Sequence, residues 1–80
     1  MKKEDVRQVV VEFLNSLSFT DTEKLLVMAK RGEFNFGQCD AETFIDNVVD
    51  IYTNICDTTE QVKHGLVKDI KEDLDDYEIY

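Results

Sequence analysis

Apolar residues recur at intervals of three and four along most of this chain, and that spacing constrains the fold more than any other feature. It is the period of an α-helix, in which residues three or four apart share one face. Short polar segments separate four such stripes, and no strand-like alternation of useful length interrupts them. The spacing predicts an all-α fold, a small compact bundle of about four helices. We expect these helices at about residues 4–17, 21–31, 40–57 and 58–77.

Capping residues set the expected helix ends. Thr20 and Glu23 fit the capping-box pattern and predict that the second helix begins there, and Gly32 is expected to end it. Asp40 is a natural N-cap for the third helix, and the residues 57–60, Asp-Thr-Thr-Glu, form a cap signature for the fourth. The segment 33–39 between the second and third helices is therefore predicted to be a loop.

The apolar stripes define the predicted core. Gly65 lies inside the fourth helix, where it costs about 1 kcal/mol relative to alanine and is expected to permit a close helix crossing. The expected buried residues are Val6, Val9, Val10, Phe13, Leu14 and Leu17 in the first helix; Leu25, Leu26, Met28 and Ala29 in the second; Ala41, Phe44, Ile45, Val48, Val49, Tyr52, Ile55 and Cys56 in the third; and Val62, Leu66, Ile70, Leu74 and Tyr77 in the fourth.

Aromatic residues outside the stripes have two interpretations. Phe34 and Phe36 in the loop are expected to fold back and plug the bundle. The alternative is an exposed anchor for a binding partner, and Tyr77 and Tyr80, set among acidic residues, are candidates for the same role.

A chain of 80 residues predicts one helical domain spanning residues 1–80, with an acidic C-terminus that frays over residues 75–80. The longest uncharged stretches, such as residues 13–20, are eight residues long, whereas a membrane-spanning helix needs about 20. We expect neither a signal peptide nor a membrane span, and we therefore expect a cytoplasmic protein.

The sequence offers no recognisable catalytic or metal-binding constellation. Cys39 and Cys56 would lie about 25 Å apart along the third helix, against the limit of about 7 Å between the Cα atoms of a disulfide, so both are expected to be free thiols. The single histidine, His64, has no second ligand at helical spacing and is expected to be exposed. The prediction is a non-enzymatic protein without cofactor or metal.

Charge is distributed very unevenly along the chain. Residues 1–31 contain six bases and five acids, whereas residues 32–80 contain three bases and thirteen acids. No Lys or Arg occurs between Gly32 and Gln61, and the formal net charge is −9. One interpretation is a solvated acidic face that keeps a small protein soluble and monomeric. The other is a binding surface for a basic partner.

The candidate partner-binding residues are acids at helical spacing. Like charges four residues apart repel, and acids near a helix C-terminus oppose the helix dipole, so helix stability does not account for this arrangement. Two of them lie on the third helix opposite its apolar stripe, and the rest lie along or beside one face of the fourth. The candidates are Asp46 and Asp50, followed by Asp69, Glu72, Asp73, Asp75, Asp76 and Glu78.

The leading functional hypothesis is an acidic inhibitor that binds a basic, nucleic-acid-binding site on a partner protein as a mimic of phosphates. Small antagonists of this kind are typical of phages and mobile genetic elements. Direct binding to nucleic acid is not expected, since the charge has the wrong sign, and no membrane partner is expected. Two alternatives stay open: an immunity or antitoxin protein that neutralises a basic toxin, and a regulatory bundle that docks through an apolar groove. The oligomeric state is left open.

Overall fold

A computed structural model describes residues 1–34 and 36–77, and helices dominate this part of the chain. The elements are α1 (Lys3–Asn15), α2 (Phe19–Arg31), α3 (Ala41–Ile55), α4 (Thr59–Leu66), a π-helical turn (Val67–Lys71) and α5 (Glu72–Asp76). The backbone stays in the right-handed helical region at the junctions between the last three elements, which therefore form one continuous fourth helix. The all-α prediction is confirmed, and each helix end lies within two residues of its predicted position.

One predicted cap is wrong. The side chain of Ser18 accepts a hydrogen bond of 3.1 Å from the backbone N–H of Asp21, so α2 begins at Phe19 and Thr20 lies inside the helix. Ser18 stands three residues before an acid, as Thr20 does, and the earlier of the two competing patterns forms the cap. The caps at Asp40 and Thr58 and the end of α2 at Gly32, where φ is 70°, agree with prediction.

α3 and the fourth helix pack against α1, whereas α2 packs against α3 and α5. Residue pairs show that α1 and α3 run antiparallel, because Lys3 lies beside Asp50 while Arg7 lies beside Asp46. The fourth helix also packs against α1, and its final part, α5, lies alongside α2. This arrangement places the helix with the most acids, α5, against the helix with the most bases, α2.

One cluster of buried side chains connects all these helices. Six residues expected in it are only half-buried at its edge, namely Phe13, Leu14, Leu17, Ile45, Cys56 and Tyr77. Three more are exposed: Leu26 at 36%, Ile55 at 67%, and Ala41. Leu26 lies on the outer face of α2, while Ala41 and Ile55 are the terminal residues of α3, so each lies at the margin of the packed interior. The buried residues are Val6, Val9, Val10, Leu25, Met28, Ala29, Phe34, Phe36, Cys39, Phe44, Val48, Val49, Tyr52, Val62, Leu66, Ile70 and Leu74.

The loop aromatics plug the bundle, as expected. Phe34 and Phe36 are 5% and 7% exposed, and their ring centroids lie 5.8 and 5.9 Å from that of Phe44. Phe36 also packs edge-on against Tyr52, at 5.8 Å. These separations are typical of favourable aromatic pairs. The alternative interpretation of Phe34 and Phe36, an exposed anchor, is wrong.

The π-helical turn in the fourth helix follows from the spacing of its apolar residues. Val62, Leu66, Ile70 and Leu74 are each four residues apart, and all four are fully buried. Four residues of an α-helix rotate about 40° beyond a full turn, so three such steps would carry Leu74 away from the core. A π turn accommodates one additional residue and corrects this drift. The prediction of a regular α-helix missed this turn.

Candidate functional site

The two candidate acids on α3 form ion pairs with α1. Nη2 of Arg7 lies 2.6 Å from Oδ1 of Asp46, and Nζ of Lys3 lies 2.5 Å from Oδ1 of Asp50. All four side chains are about half exposed, and surface pairs of this kind contribute about 0–1 kcal/mol each. The bases of the N-terminal segment therefore offset part of the acidic excess of the later segment.

Asp69 is engaged within the fold. Its Oδ2 accepts a hydrogen bond of 2.8 Å from the hydroxyl of Tyr52, and its side chain is half-buried. Burial of the Tyr52 ring, together with the Asp69 carboxylate, raises the pKa of the tyrosine. The Asp69 carboxylate therefore joins α3 to the fourth helix and is less available to a partner than an exposed acid.

Asp75 belongs to an ion-pair cluster between α5 and α2. Nζ of Lys71 lies 3.2 Å from Oδ1 of Asp75 and 2.6 Å from Oδ2 of Asp21. The hydrogen bond between Lys71 and Asp21 lowers the pKa of the carboxyl group and raises the pKa of the amine. This cluster anchors the start of α5 to the start of α2.

Two bases of α2 contact the other end of α5. Nζ of Lys24 donates a hydrogen bond of 3.3 Å to the backbone oxygen of Leu74, and Nη1 of Arg31 donates one of 2.6 Å to the hydroxyl of Tyr77. A cation near the C-terminus of a helix is favourable because the last carbonyl groups carry partial negative charge. Tyr77 is half-buried by this contact.

The remaining three acids of α5 form what we call the acidic stripe: Glu72, Asp73 and Asp76. All three are exposed, and within residues 1–34 and 36–77 none of them forms an ion pair. Residues three or four apart on a helix have Cβ atoms about 5–6 Å apart, so their carboxylates lie close together. The opposite side of this helical segment is anchored in the core by Ile70 and Leu74, both fully buried.

The structure does not bring the two sets of candidate acids together. Asp46 and Asp50 lie beside the N-terminal half of α1, whereas the acidic stripe lies on α5, which packs against α2. Tyr52, which contacts the fourth helix, is about 200° around α3 from Asp50. The candidates therefore form two separate patches. Glu78 and Tyr80 lie outside the described residues.

A shallow apolar groove lies between α1 and α4. Its volume is about 290 Å³, and Val9, Phe13, Leu66 and Val67 form its apolar surface. Glu12 and Lys63, one residue of each sign, complete the lining. This groove is the candidate surface for a regulatory bundle that docks through apolar contacts.

Other candidate groups have simple environments. Cys39 is buried, and burial raises the pKa of the half-buried Cys56 thiol. His64 is exposed. Within the described residues, no group of three or more His, Cys, Asp or Glu side chains is arranged to hold a metal ion. None of the helices in this part of the chain combines the length and the apolar composition that a membrane span requires.

Comparisons with protein-family models, curated proteins and solved structures gave no match to this chain. The protein is a small all-α bundle in which Lys24 and Arg31 of α2 contact the acidic end of the fourth helix.

Proposed function

We propose that this protein is a non-enzymatic inhibitor whose acidic stripe binds a basic, nucleic-acid-binding surface on a partner protein. The observation that carries the proposal is the exposure of Glu72, Asp73 and Asp76 on the outer face of a helix whose inner face is buried. Their carboxylates are spaced at helical intervals and lack ion-pair partners in the described chain.

The way α5 is held supports this proposal. Neighbouring like charges and acids near a helix C-terminus both destabilise a helix by a few tenths of a kcal/mol each. Contacts from Lys24, Arg31 and Lys71 hold the segment in place in spite of this cost. A rigid acidic surface avoids much of the entropy loss that ordering a flexible acidic tail would incur on binding.

The spacing of the stripe suits mimicry of a nucleic-acid backbone. Cβ atoms three or four residues apart lie about 5–6 Å from one another, and backbone phosphates advance about 3.4 Å along the helix axis per step on a longer winding path. A net charge of −9 would also accelerate encounter with a basic cleft. Asp46 and Asp50 would act as a second, weaker patch because Arg7 and Lys3 partly neutralise them.

The proposal also covers the cellular compartment and the kind of genome that encodes the protein. A reducing cytoplasm keeps thiols such as Cys39 and Cys56 free, and small antagonists of this kind suit phages and mobile genetic elements. An immunity or antitoxin protein would use the same stripe against a basic toxin, so the identity of the partner separates these two versions.

The apolar groove between α1 and α4 favours a second candidate function, regulation through docking of an apolar segment. Val67 at this groove is 47% exposed, so a partner could cover additional apolar surface there. Charge-driven association slows steeply as ionic strength rises, whereas apolar docking does not. Salt dependence therefore distinguishes the stripe from the groove.

The test compares a stripe variant with a control of equal charge. The variant carries Glu72→Gln, Asp73→Asn and Asp76→Asn; the control carries Glu4→Gln, Glu33→Gln and Asp57→Asn, which neutralise three exposed acids elsewhere. Asp69 and Asp75 are left intact because they contact Tyr52 and Lys71.

Each protein is used to capture the partner from host extract, and association with the purified partner is then followed at low and physiological ionic strength. We expect the stripe variant to associate at least about tenfold more slowly, with a flatter salt dependence, while the control stays near wild type. Oligonucleotide should compete with the wild-type protein for the partner. Equal rates for the two variants would contradict a role for the stripe, and an absence of competition would contradict phosphate mimicry.

A further inference from the structure

Phe19 is the most exposed large apolar side chain of the described residues, at 79% of its surface. It is the first residue of α2, and the cap at Ser18 fixes its backbone: Ser18 accepts hydrogen bonds from the backbone N–H groups of Asp21, at 3.1 Å, and Thr22, at 2.9 Å. The phenyl group is therefore presented to solvent from a well-ordered helix start.

An apolar pocket of about 160 Å³ opens where the end of α1, the outer face of α2 and the start of α3 meet. Its volume matches a phenyl ring, since an apolar cavity of about 150 Å³ admits benzene. The aliphatic lining comes from Leu14 of α1, Leu17 of the segment that follows it, Leu25 and Leu26 of α2, and Ala41 and Ile45 of α3.

Phe19 shares a helix face with part of this lining. It precedes Thr22 by three residues and Leu26 by seven, and both of these contribute to the pocket. Residues at these intervals lie on one side of a helix. The protruding ring and the pocket are therefore neighbours on one surface, so a two-fold rotation would place each ring against the pocket of a second copy.

Charge favours a second copy at this surface over other parts of the molecule. Three of the five charged residues of α2 face the fourth helix, where Asp21 contacts Lys71, Lys24 contacts Leu74 and Arg31 contacts Tyr77. Two copies that met through α3 or α5 would bring acidic surfaces together, whereas the outer face of α2 carries both signs, with Glu23 and Lys30 exposed on it. Association through this face therefore meets less local repulsion than association through the acidic surfaces of α3 or α5.

From these observations we infer that the outer face of α2 is a homodimer interface, in which Phe19 of each copy fills the apolar pocket of the other. The interface is isologous, so it closes after two copies and buries both exposed rings. An aromatic side chain in a complementary pocket is the usual form of a dominant contact in such interfaces. The inference is independent of the acidic stripe, which lies on α5.

Sedimentation velocity over a range of protein concentrations tests the inference with the whole chain. We expect the wild-type protein to form a dimer. Phe19→Ser changes the inserted ring and Leu26→Gln changes the pocket, and each should raise the dimer dissociation constant at least about tenfold. Ala41→Gln, which narrows the pocket from an exposed helix-terminal position, is a second pocket variant in case Leu26→Gln does not fold. Circular dichroism verifies that each variant is folded.

Ile55→Ser is the matched control, because Ile55 is 67% exposed but lies at the C-terminal end of α3, away from the pocket. It should leave the dimer unchanged. A wild-type protein that stays monomeric up to about 1 mM would overturn the inference, and the pocket would then be open to a small apolar molecule or another protein. A dimer that persists in Phe19→Ser, or one that Ile55→Ser weakens equally, would also overturn it.

Discussion

The hydroxyl of Tyr52 donates a hydrogen bond of 2.8 Å to Oδ2 of Asp69, and the tyrosine ring reaches it by lying across Gly65. A Cβ atom at position 65 would stand 2.9 Å from Cε1 of Tyr52, closer than normal van der Waals contact. The ring is 1% exposed and has little room to move. A glycine that is unfavourable for the helix itself therefore permits the contact that joins α3 to the fourth helix.

Gly65→Ala should consequently destabilise the protein, although alanine is the better helix former by about 1 kcal/mol. Overpacking a buried site costs about 1–3 kcal/mol, so we expect a net loss of about 1 kcal/mol in the free energy of unfolding, measured by chemical denaturation. In a Tyr52→Leu background the same substitution should become neutral or stabilising, because the clashing ring is gone. An equal cost in both backgrounds would show that the clash is not the cause.

Phe44 should be among the most sensitive positions of the core. It is 2% exposed and packs against both Phe34 and Phe36, so Phe44→Ala should lower the free energy of unfolding by about 3–5 kcal/mol. Val48→Ala should also destabilise, whereas Asp46→Ala, which removes an exposed ion pair, should change stability by about half a kcal/mol. Urea unfolding of the three variants measures these differences. A larger effect at Asp46 than at Phe44 would contradict the orientation of α3.

Acid should destabilise the protein through Asp40 and Asp21. Hydrogen bonds from Thr43 lower the pKa of Asp40, and the hydrogen bond from Lys71 lowers that of Asp21. Since both folded-state pKa values lie below the ordinary value of 3.8, the stabilisation is complete above that pH and is lost as pH falls through the folded pKa values. The melting temperature measured by thermal unfolding should therefore decrease once the pH is below about 4.

Asp40→Asn separates the cap from its charge, because asparagine caps a helix about as well as aspartate but does not titrate. The variant should keep its helix content and lose less stability than wild type between neutral and acidic pH. An unchanged acid dependence in Asp40→Asn would contradict the contribution assigned to this carboxylate.

The parts of the fold that local sequence governs were predictable. The period of the apolar residues gave four helices, Gly32 and Asp40 marked helix ends, and the stripe from Val62 to Leu74 identified a buried face. Each of these depends on residues within a few positions of one another. The cap at Ser18 was missed because two overlapping patterns competed within the same turn.

The candidate site was only partly predictable because its charges are paired over long separations. Asp46 pairs with Arg7, which is 39 positions away in the sequence, and Asp21 pairs with Lys71, which is 50 positions away. Counting charges along the sequence located the acidic excess but could not show which carboxylates the fold neutralises. The stripe of Glu72, Asp73 and Asp76 emerges only when these tertiary pairs have been assigned.

Both thiols should be free, and the fold should protect them from a thiol reagent to different degrees. Cys39 is buried and its Sγ donates a weak hydrogen bond to the backbone oxygen of Gly37 at 3.6 Å, whereas Cys56 is half-buried with a pKa raised by burial. Titration with a thiol reagent should label both slowly in the native state, Cys56 first, and both rapidly after unfolding. A native mass about two units low, together with no reactive thiol after unfolding, would reveal a disulfide that the fold does not permit.

The π-helical turn yields a prediction about chain length. Removing exposed Lys68 would change the spacing of Val62, Leu66, Ile70 and Leu74 from four-four-four to four-three-four, which keeps all of them on one face of a regular α-helix. We therefore expect the deletion variant to fold, with an unfolding free energy within about 1 kcal/mol of wild type.

The control for this prediction removes exposed Asp50 from the regular helix α3. That deletion rotates Tyr52 by about 100° relative to Phe44 and Val48, so it should cost at least about 3 kcal/mol or prevent folding. Circular dichroism and urea unfolding of both variants measure the contrast. If the loss of Lys68 proved as damaging as the loss of Asp50, the turn would not be the site that accommodates the extra residue. The stability of the fourth helix would then depend on the π geometry itself, through the contact that this turn gives Asp69 with Tyr52.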